Sequence, residues 1–323
     1  RRRDTISEGA WSDCRSHADE GRKMACPQIS PEEVVAAIPG ASDVSHIDDG
    51  GQKRVFRVRL SGNNYAVKFM RPVVQQLSTS EFATEPSLVD NVTARATREV
   101  DTLRQCKTPY LVKLGPIGLE SAKIGSDTLL YFSEEYIDGE SLTSLLKAGT
   151  LLNVNDLVEL GTQITLAIQE LWSFSKIHRD VKPNNIMRRK GDGSFVLLDM
   201  GLVFDLDDRS FSLGPVGTAA YFSPEQVDFR NRRSILDFRS DIFSLGIVLY
   251  MMATGQHPFA AGANNSWEII ANIQTLSPTP PKQLREEIPD ELSALILRLL
   301  GKRPALRYRT PQMLLDALKS VPK

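Results

Sequence analysis

Ile177-His178-Arg179-Asp180-Val181-Lys182-Pro183-Asn184-Asn185 packs a carboxylate, two cations and an amide into one short loop. Asp180 is a candidate base, Lys182 can hold an anionic group in transfer, and Asn185 offers an amide oxygen to a divalent metal ion. A lone Asp or Asn in a loop is ordinarily a turn or cap residue, so the weight lies in what flanks the run. Downstream, the apolar strand pattern Val196-Leu197-Leu198 ends on Asp199-Met200-Gly201, a second carboxylate. Upstream, Tyr65-Ala66-Val67-Lys68 places an amine in a strand, where an exposed Lys is the ordinary reading.

Around these anchors the chain divides by pattern. Ser30-Pro31-Glu32-Glu33 carries an N-cap, a first-turn proline and a capping-box Glu, which predicts a short helix to about Ile38, before Pro39-Gly40. Val55 to Leu60 alternates apolar and basic residues, Ser61-Gly62-Asn63-Asn64 turns the chain, and Tyr65 to Met70 returns as the second arm of a hairpin. A helix over Ala94 to Gln105 and strands at Tyr110 to Leu114 and Leu129 to Phe132 follow. Past Gly139 the period becomes helical, with Leu157, Leu160, Ile164, Ile168 and Leu171 on one face of a helix capped near Asn155. A sheet-rich part, residues 30–137, thus precedes a helix-rich part, residues 138–323. The polar, aperiodic residues 1–29 read as a mobile extension.

With 323 residues, 41% of them hydrophobic, the chain can bury a large core. Its net charge of -1, from 39 basic and 40 acidic residues, removes the bulk attraction that would make nucleic acid or an anionic membrane the main partner. Cys14, Cys26 and Cys106 form no paired framework and no metal-ligand spacing, so a reducing, cytoplasmic location is expected, with a Cys14–Cys26 disulfide as the minor alternative. The longest apolar run, Ile242 to Ala253, is interrupted by Ser244 and Gly246 and is too short to cross a bilayer. It predicts a buried helix, and no membrane segment is expected. No apolar stretch follows Arg1-Arg2-Arg3, so these residues do not open a secretory signal.

Phosphoryl transfer leaves a protein little covalent work; it asks for metal-holding oxygens, a cation on the phosphates and a group that orients the acceptor hydroxyl. All three are present, and from about residue 45 to 320 the chain resembles bacterial eukaryotic-like (Hanks-type) serine/threonine protein kinases. Besides the runs already quoted, Gly217-Thr218-Ala219-Ala220-Tyr221-Phe222-Ser223-Pro224-Glu225, Arg239-Ser240-Asp241 and Arg303-Pro304-Ala305-Leu306-Arg307 carry the resemblance. It implies an α+β, two-lobed protein kinase fold, with an antiparallel sheet and one main helix in the N-lobe and a mostly helical C-lobe. It also implies ATP and Mg²⁺ as cofactors and a protein substrate. Ser or Thr acceptors follow because Lys182 and Thr218 match the pair that accompanies them. Autophosphorylation is expected, and a homodimer would allow it in trans.

The same resemblance assigns roles. Asp180 is the base, Lys182 holds the transferring phosphoryl group, Asn185 binds one Mg²⁺ and Asp199 binds both. Lys68 contacts the α and β phosphates, clamped by Glu99, with Asp101 as the runner-up clamp. Val55, Ala66 and Met187 sandwich adenine, and are apolar core positions even without a nucleotide. The backbone of Glu135 and Ile137 bonds the adenine edge. Gly50 and Gly51 lie in the phosphate-covering loop. Glu225 pairs with Arg307, and Asp241 holds the catalytic loop by its backbone amides; these three are structural. Leu103, His178 and Met200 stack as an internal spine, which makes His178 a packed, hydrogen-bonded histidine. Arg179 reads a phosphate on the activation segment, where Ser210 and Ser212 are candidates.

Four departures stand out. Asp48-Asp49-Gly50-Gly51-Gln52-Lys53 keeps the middle glycine of the phosphate-covering loop but has Asp48 and Lys53 in place of the first and third, and Asp48 and Asp49 should repel phosphate. Glu134 stands at the back of the adenine pocket, where a carboxylate needs a partner or a raised pKa; the adenine amine is one partner. The stretch between Met70 and Glu99 is long, with an irregular insertion at residues 71–92. Met200 replaces Phe, a soft exchange that keeps packing. Two rival readings remain: a pseudokinase binding or scaffold module whose damaged loop no longer positions nucleotide, and a small-molecule kinase, which would lack the Gly217 to Glu225 platform and Arg307.

Overall fold

The computed structural model describes residues 26–49, 53–72, 92–202, 204–205, 219–228 and 236–322. The extension up to residue 25, Gly50 and Gly51, most of the 71–92 insertion, Ser210, Ser212, Gly217 and Thr218 lie outside the described residues. The chain forms two compact units. One holds the described residues to Gln105 with Val112–Tyr136, and the other holds Cys106–Leu111 with those from Ile137 onward.

In the first unit, helix α1 (Pro31–Ala37) starts as its caps dictate. Ser30 Oγ accepts the Glu33 N–H, and Glu33 Oε2 accepts the Ser30 N–H at 2.8 Å, with Pro31 in the first turn. Five antiparallel strands follow, β1 (Ser42–Asp49), β2 (Lys53–Leu60), β3 (Asn63–Met70), β4 (Glu120–Ile124) and β5 (Asp127–Glu135), in the order β1-β2-β3-β5-β4. Helix α2 (Val92–Gln105) lies between β3 and β4 in the sequence. The β2–β3 hairpin turns on Ser61 and Gly62 alone, at φ 48° and 86°. That two-residue turn with both φ positive matches strand twist, so Asn63 and Asn64 belong to β3.

Period-two alternation sorts the sheet into two faces. Phe56, Val58, Val67, Phe69 and Tyr131 point to a core that Val34 and Ile38 close from the α1 side. The alternate residues, Val55, Ala66, Lys68, Phe132 and Glu134, share the other face. The run Tyr110 to Leu114, expected as a strand, makes only the isolated bridges Leu111↔Leu197 and Leu114↔Glu134, because the chain passes from one unit to the other within it.

The second unit is mostly helical. Helix α3 is Leu142–Lys147, and helix α4 (Val154–Ser173) is capped by Asn153, whose side chain accepts the Asp156 N–H at 2.9 Å, two residues before the expected cap. Its expected apolar face, Leu157 to Leu171, is fully buried. The run Ile242 to Ala253 lies in the helix Phe238–Thr254, buried on every side and ended by Gly255 at φ 73°. Gly246 lets the helix Asp290–Leu299 approach: a Cβ there would lie 2.7 Å from Leu299 Cβ. A small sheet of β6 (Gly139–Ser141), β8 (Ile186–Arg189) and β9 (Phe195–Leu197), with β7 (Lys176–Ile177) nearby in sequence, frames the loop from Ile177 to Asn185. No helix among the described residues is long and apolar enough to cross a membrane. Cys26 and Cys106 are buried, and Cys14, the other half of the alternative bridge, lies outside the described residues.

Candidate active site

Lys68 stands between two carboxylates. Its Nζ lies 2.7 Å from Glu99 Oε1 and 2.7 Å from Glu134 Oε1, with the three side chains no more than 5% exposed. Two structural facts converge there. Helix α2 turns Ala96, Glu99, Val100 and Leu103 inward, and the β3–β5 register sets Ala66 opposite Glu134 and Lys68 opposite Phe132. Lys68 and Glu134 are therefore diagonal neighbours on one face. Asp101 is exposed and bound to Arg104 at 3.0 Å, which removes it as the clamp. Burial pushes the Glu134 carboxyl up to about 7 against the pull of the Lys68 amine, and Glu99 adds to the rise.

Val55 and Ala66 share the face of Lys68 but are half-buried rather than core residues, as is Met187 on β8. Asp49 is engaged by His46 Nε2 at 2.8 Å and by Arg54 at 3.4 Å, so its charge is partly neutralised rather than simply turned on phosphate. The Glu135 N–H donates to Lys113 O at 2.8 Å, so its amide is already engaged by the protein. Ile137 is buried.

In the second unit the loop after β7 is pinned from beneath. Asp241, in the first turn of the helix Phe238–Thr254, accepts the N–H of His178 at 2.8 Å and of Arg179 at 2.7 Å. Burial pushes Asp241 up to about 7, with these two amides pulling the other way. Arg179 and Asp199 have φ of 67° and 65°, left-handed values that cost a non-glycine residue roughly 1–3 kcal/mol and persist only where neighbours dictate them. For Arg179 those neighbours are Asp241 below and Gln226 Nε2, which donates to its carbonyl at 3.3 Å. His178 is fully buried; its Nε2 meets Leu198 O at 3.1 Å and its Nδ1 accepts the Asp180 N–H at 3.2 Å. It is the packed, bonded histidine expected.

Asp180 is 6% exposed. Its Oδ2 takes Lys182 Nζ at 2.9 Å and Asn185 Nδ2 at 2.8 Å, and the same Nδ2 bonds the Asp180 carbonyl at 2.9 Å. Its Oδ1 is buried and has no hydrogen-bond partner among the described residues. Burial raises the Asp180 pKa against the Lys182 amine, and Asp199 is near enough to raise it further. With its amide nitrogen committed to Asp180, Asn185 keeps its amide oxygen for another group. Asp199, whose Oδ1 accepts the Gly201 N–H at 3.2 Å, supplies a hard carboxylate in the same unit.

These donors fit Mg²⁺. Among the described residues no three His, Cys, Asp or Glu side chains cluster as a cage. Mg²⁺ is ordinarily held by one or two protein oxygens together with substrate phosphates. Glu225 and Arg307 meet as expected, with Nη1–Oε1 at 2.6 Å and Nη2–Oε2 at 2.9 Å. Sequence reading missed Gln226 as a support of Arg179, and it missed the Lys68 amine as the partner of Glu134. Pairing the alternation of Tyr65 to Met70 with that of Leu129 to Glu135 was the available signal for the second.

The protein kinase domain family model matches residues 42–317. A probable serine/threonine-protein kinase of Clostridium perfringens is 28% identical over 279 residues, covering 86% of this chain and 37% of its own. Serine/threonine-protein kinase PknB of Mycolicibacterium smegmatis is 30% identical over 248 residues, covering 76% and 38%. Serine/threonine-protein kinase pkn3 of Myxococcus xanthus is 30% identical over 288 residues, covering 86% and 49%. The chain thus spans less than half the length of these relatives.

Proposed function

This chain belongs to the protein kinase domain family, and we propose that it is an ATP- and Mg²⁺-dependent catalytic domain that moves the γ-phosphoryl group to Ser or Thr hydroxyls of a protein, itself included. The observation that carries this reading is Asp180 Oδ1, which has no hydrogen-bond partner among the described residues and is buried beside an Oδ2 already held by Lys182 and Asn185. A buried acceptor without a donor is costly, and an incoming hydroxyl is the donor that would satisfy it. Asp180 takes that hydroxyl's proton as the oxygen–phosphorus bond forms and the bond to ADP breaks. Lys182 offsets charge on the group in transfer. Lys68, steadied by Glu99, holds the nucleotide phosphates, and Asn185 with Asp199 would hold the metal. Mg²⁺, when bound, neutralises phosphate charge. Catalysis then rests on positioning and charge neutralisation.

Mass spectrometry of the protein after incubation with Mg-ATP, wild type against Asp199→Asn, tests the reading. Phosphate gained on Ser or Thr by the wild type and lost in the variant is expected. An Asp199→Asn protein that modifies itself as fast as wild type defeats the assignment. Thermal stabilisation by Mg-ATP with no transfer to itself or to a generic basic protein favours the pseudokinase reading instead.

A further inference from the structure

The kinase reading uses one carboxylate on Lys68, and the structure has two. We propose that Glu134 is a positioning residue for the Lys68 amine, and that its protonation decides how far this amine is available to the phosphates of a bound nucleotide. The inference rests on the kinase reading and deepens it.

An ammonium has three N–H donors. Glu99 Oε1 and Glu134 Oε1, each at 2.7 Å, engage two of them. With both carboxylates ionised the trio carries one net negative charge where side chains are at most 5% exposed and solvent screens little. Such a site holds Lys68 firmly and repels a polyphosphate. With Glu134 neutral the three side chains carry no net charge, and the amine is drawn less strongly to Glu134 and more strongly to an anion. Among the described residues of its unit, the charged groups that act on Glu134 are Lys68 from β3, Glu99 from α2 and, at longer range, Lys53 from β2. Burial holds the Glu134 carboxyl at about 7, so both forms are populated near neutrality. An arriving phosphate favours the protonated form, because it adds negative charge and draws Lys68 away. Nucleotide affinity therefore falls as pH rises.

The test is calorimetric titration of an ATP analogue with a non-transferable γ-phosphoryl group, in excess Mg²⁺, into wild type, Glu134→Gln and Glu134→Leu at about pH 6 and about pH 8. Circular dichroism checks that each protein is folded. Wild-type affinity should fall about fivefold across that range, as a one-unit rise of a carboxyl pKa on binding gives. Both variants should bind at pH 8 at least as tightly as wild type at pH 6, with the slope gone. In turnover, Glu134→Gln should lower KM for ATP at pH 8 more than it changes kcat. Equal slopes in all three proteins overturn the inference and leave the kinase reading standing, as do variants that bind more weakly than wild type at both pH values. Binding by none of the three defeats the kinase reading and the inference with it. If neither variant folds, a wild-type affinity that does not change with pH still overturns it.

Discussion

Arg307 is 1% exposed, and its guanidinium donates to both Glu225 oxygens, to Gly301 O at 2.8 Å and to Arg239 O at 2.7 Å. Burial alone would raise the Glu225 pKa; the Arg307 guanidinium overrides it and holds the carboxyl below its ordinary value of 4.5. Removing the cation leaves a buried carboxylate uncompensated, so Arg307→Ala should cost about 3–5 kcal/mol in chemical denaturation. Arg307→Met with Glu225→Leu should recover part of that loss, because no buried charge is then stranded. The sign of the pH dependence follows from the depressed pKa. The pair's contribution is complete above pH 4.5 and is lost as pH falls through the lower folded value. A wild-type and Arg307→Ala stability difference that does not shrink on acidification would count against the pair. Legibility differs sharply at this scale. Glu99 could be chosen over Asp101 only by its motif, and the inward face of α2 then agreed; Glu134 found its partner through a strand register joining distant residues, which no local pattern prints.

Helix α1 precedes the segment matched by the family model, yet its Val34 and Ile38 are 0% and 2% exposed against the sheet core of Phe56, Val58, Val67 and Phe69. It is part of that core, so truncating its contact should be felt as a core mutation. Ile38→Ala is expected to cost about 2–5 kcal/mol, and Ser30→Ala, which removes the cap, about 1 kcal/mol. Urea denaturation of the two single variants checks both, and an Ile38→Ala loss below that of Ser30→Ala would mean the helix does not close the core. The elements that could be read from sequence are those with local signals: the α1 capping box, the alternating β2–β3 hairpin, the apolar face of α4 and the continuous run of the helix Phe238–Thr254. The edge strands β1 and β4 escaped because six of the eight residues of β1 are exposed and β4 buries only Ile124, so neither shows clean alternation. The Tyr110 to Leu114 run misled because apolar residues at a crossing between units mimic a strand.

At the scale of the whole chain, the net charge of -1 leaves recognition to local groups, and the two units divide the stabilising cores between them. Ile38 belongs to the first unit's core and Arg307 to the second, and they share none of the partners named above. Substitutions without shared partners add to within about 0.5 kcal/mol. Hydrogen exchange in the native state resolves the two contributions, because local openings report on the unit that contains them. Ile38→Ala should speed exchange of the β2, β3 and β5 amides, while Arg307→Ala should act on the amides of the helix Phe238–Thr254. The double variant should show both changes at their single-variant size. If either substitution accelerates exchange in both units equally, or the double variant departs from the sum by more than about 1 kcal/mol, the two cores open as one cooperative body and the division into separately stabilised units is wrong.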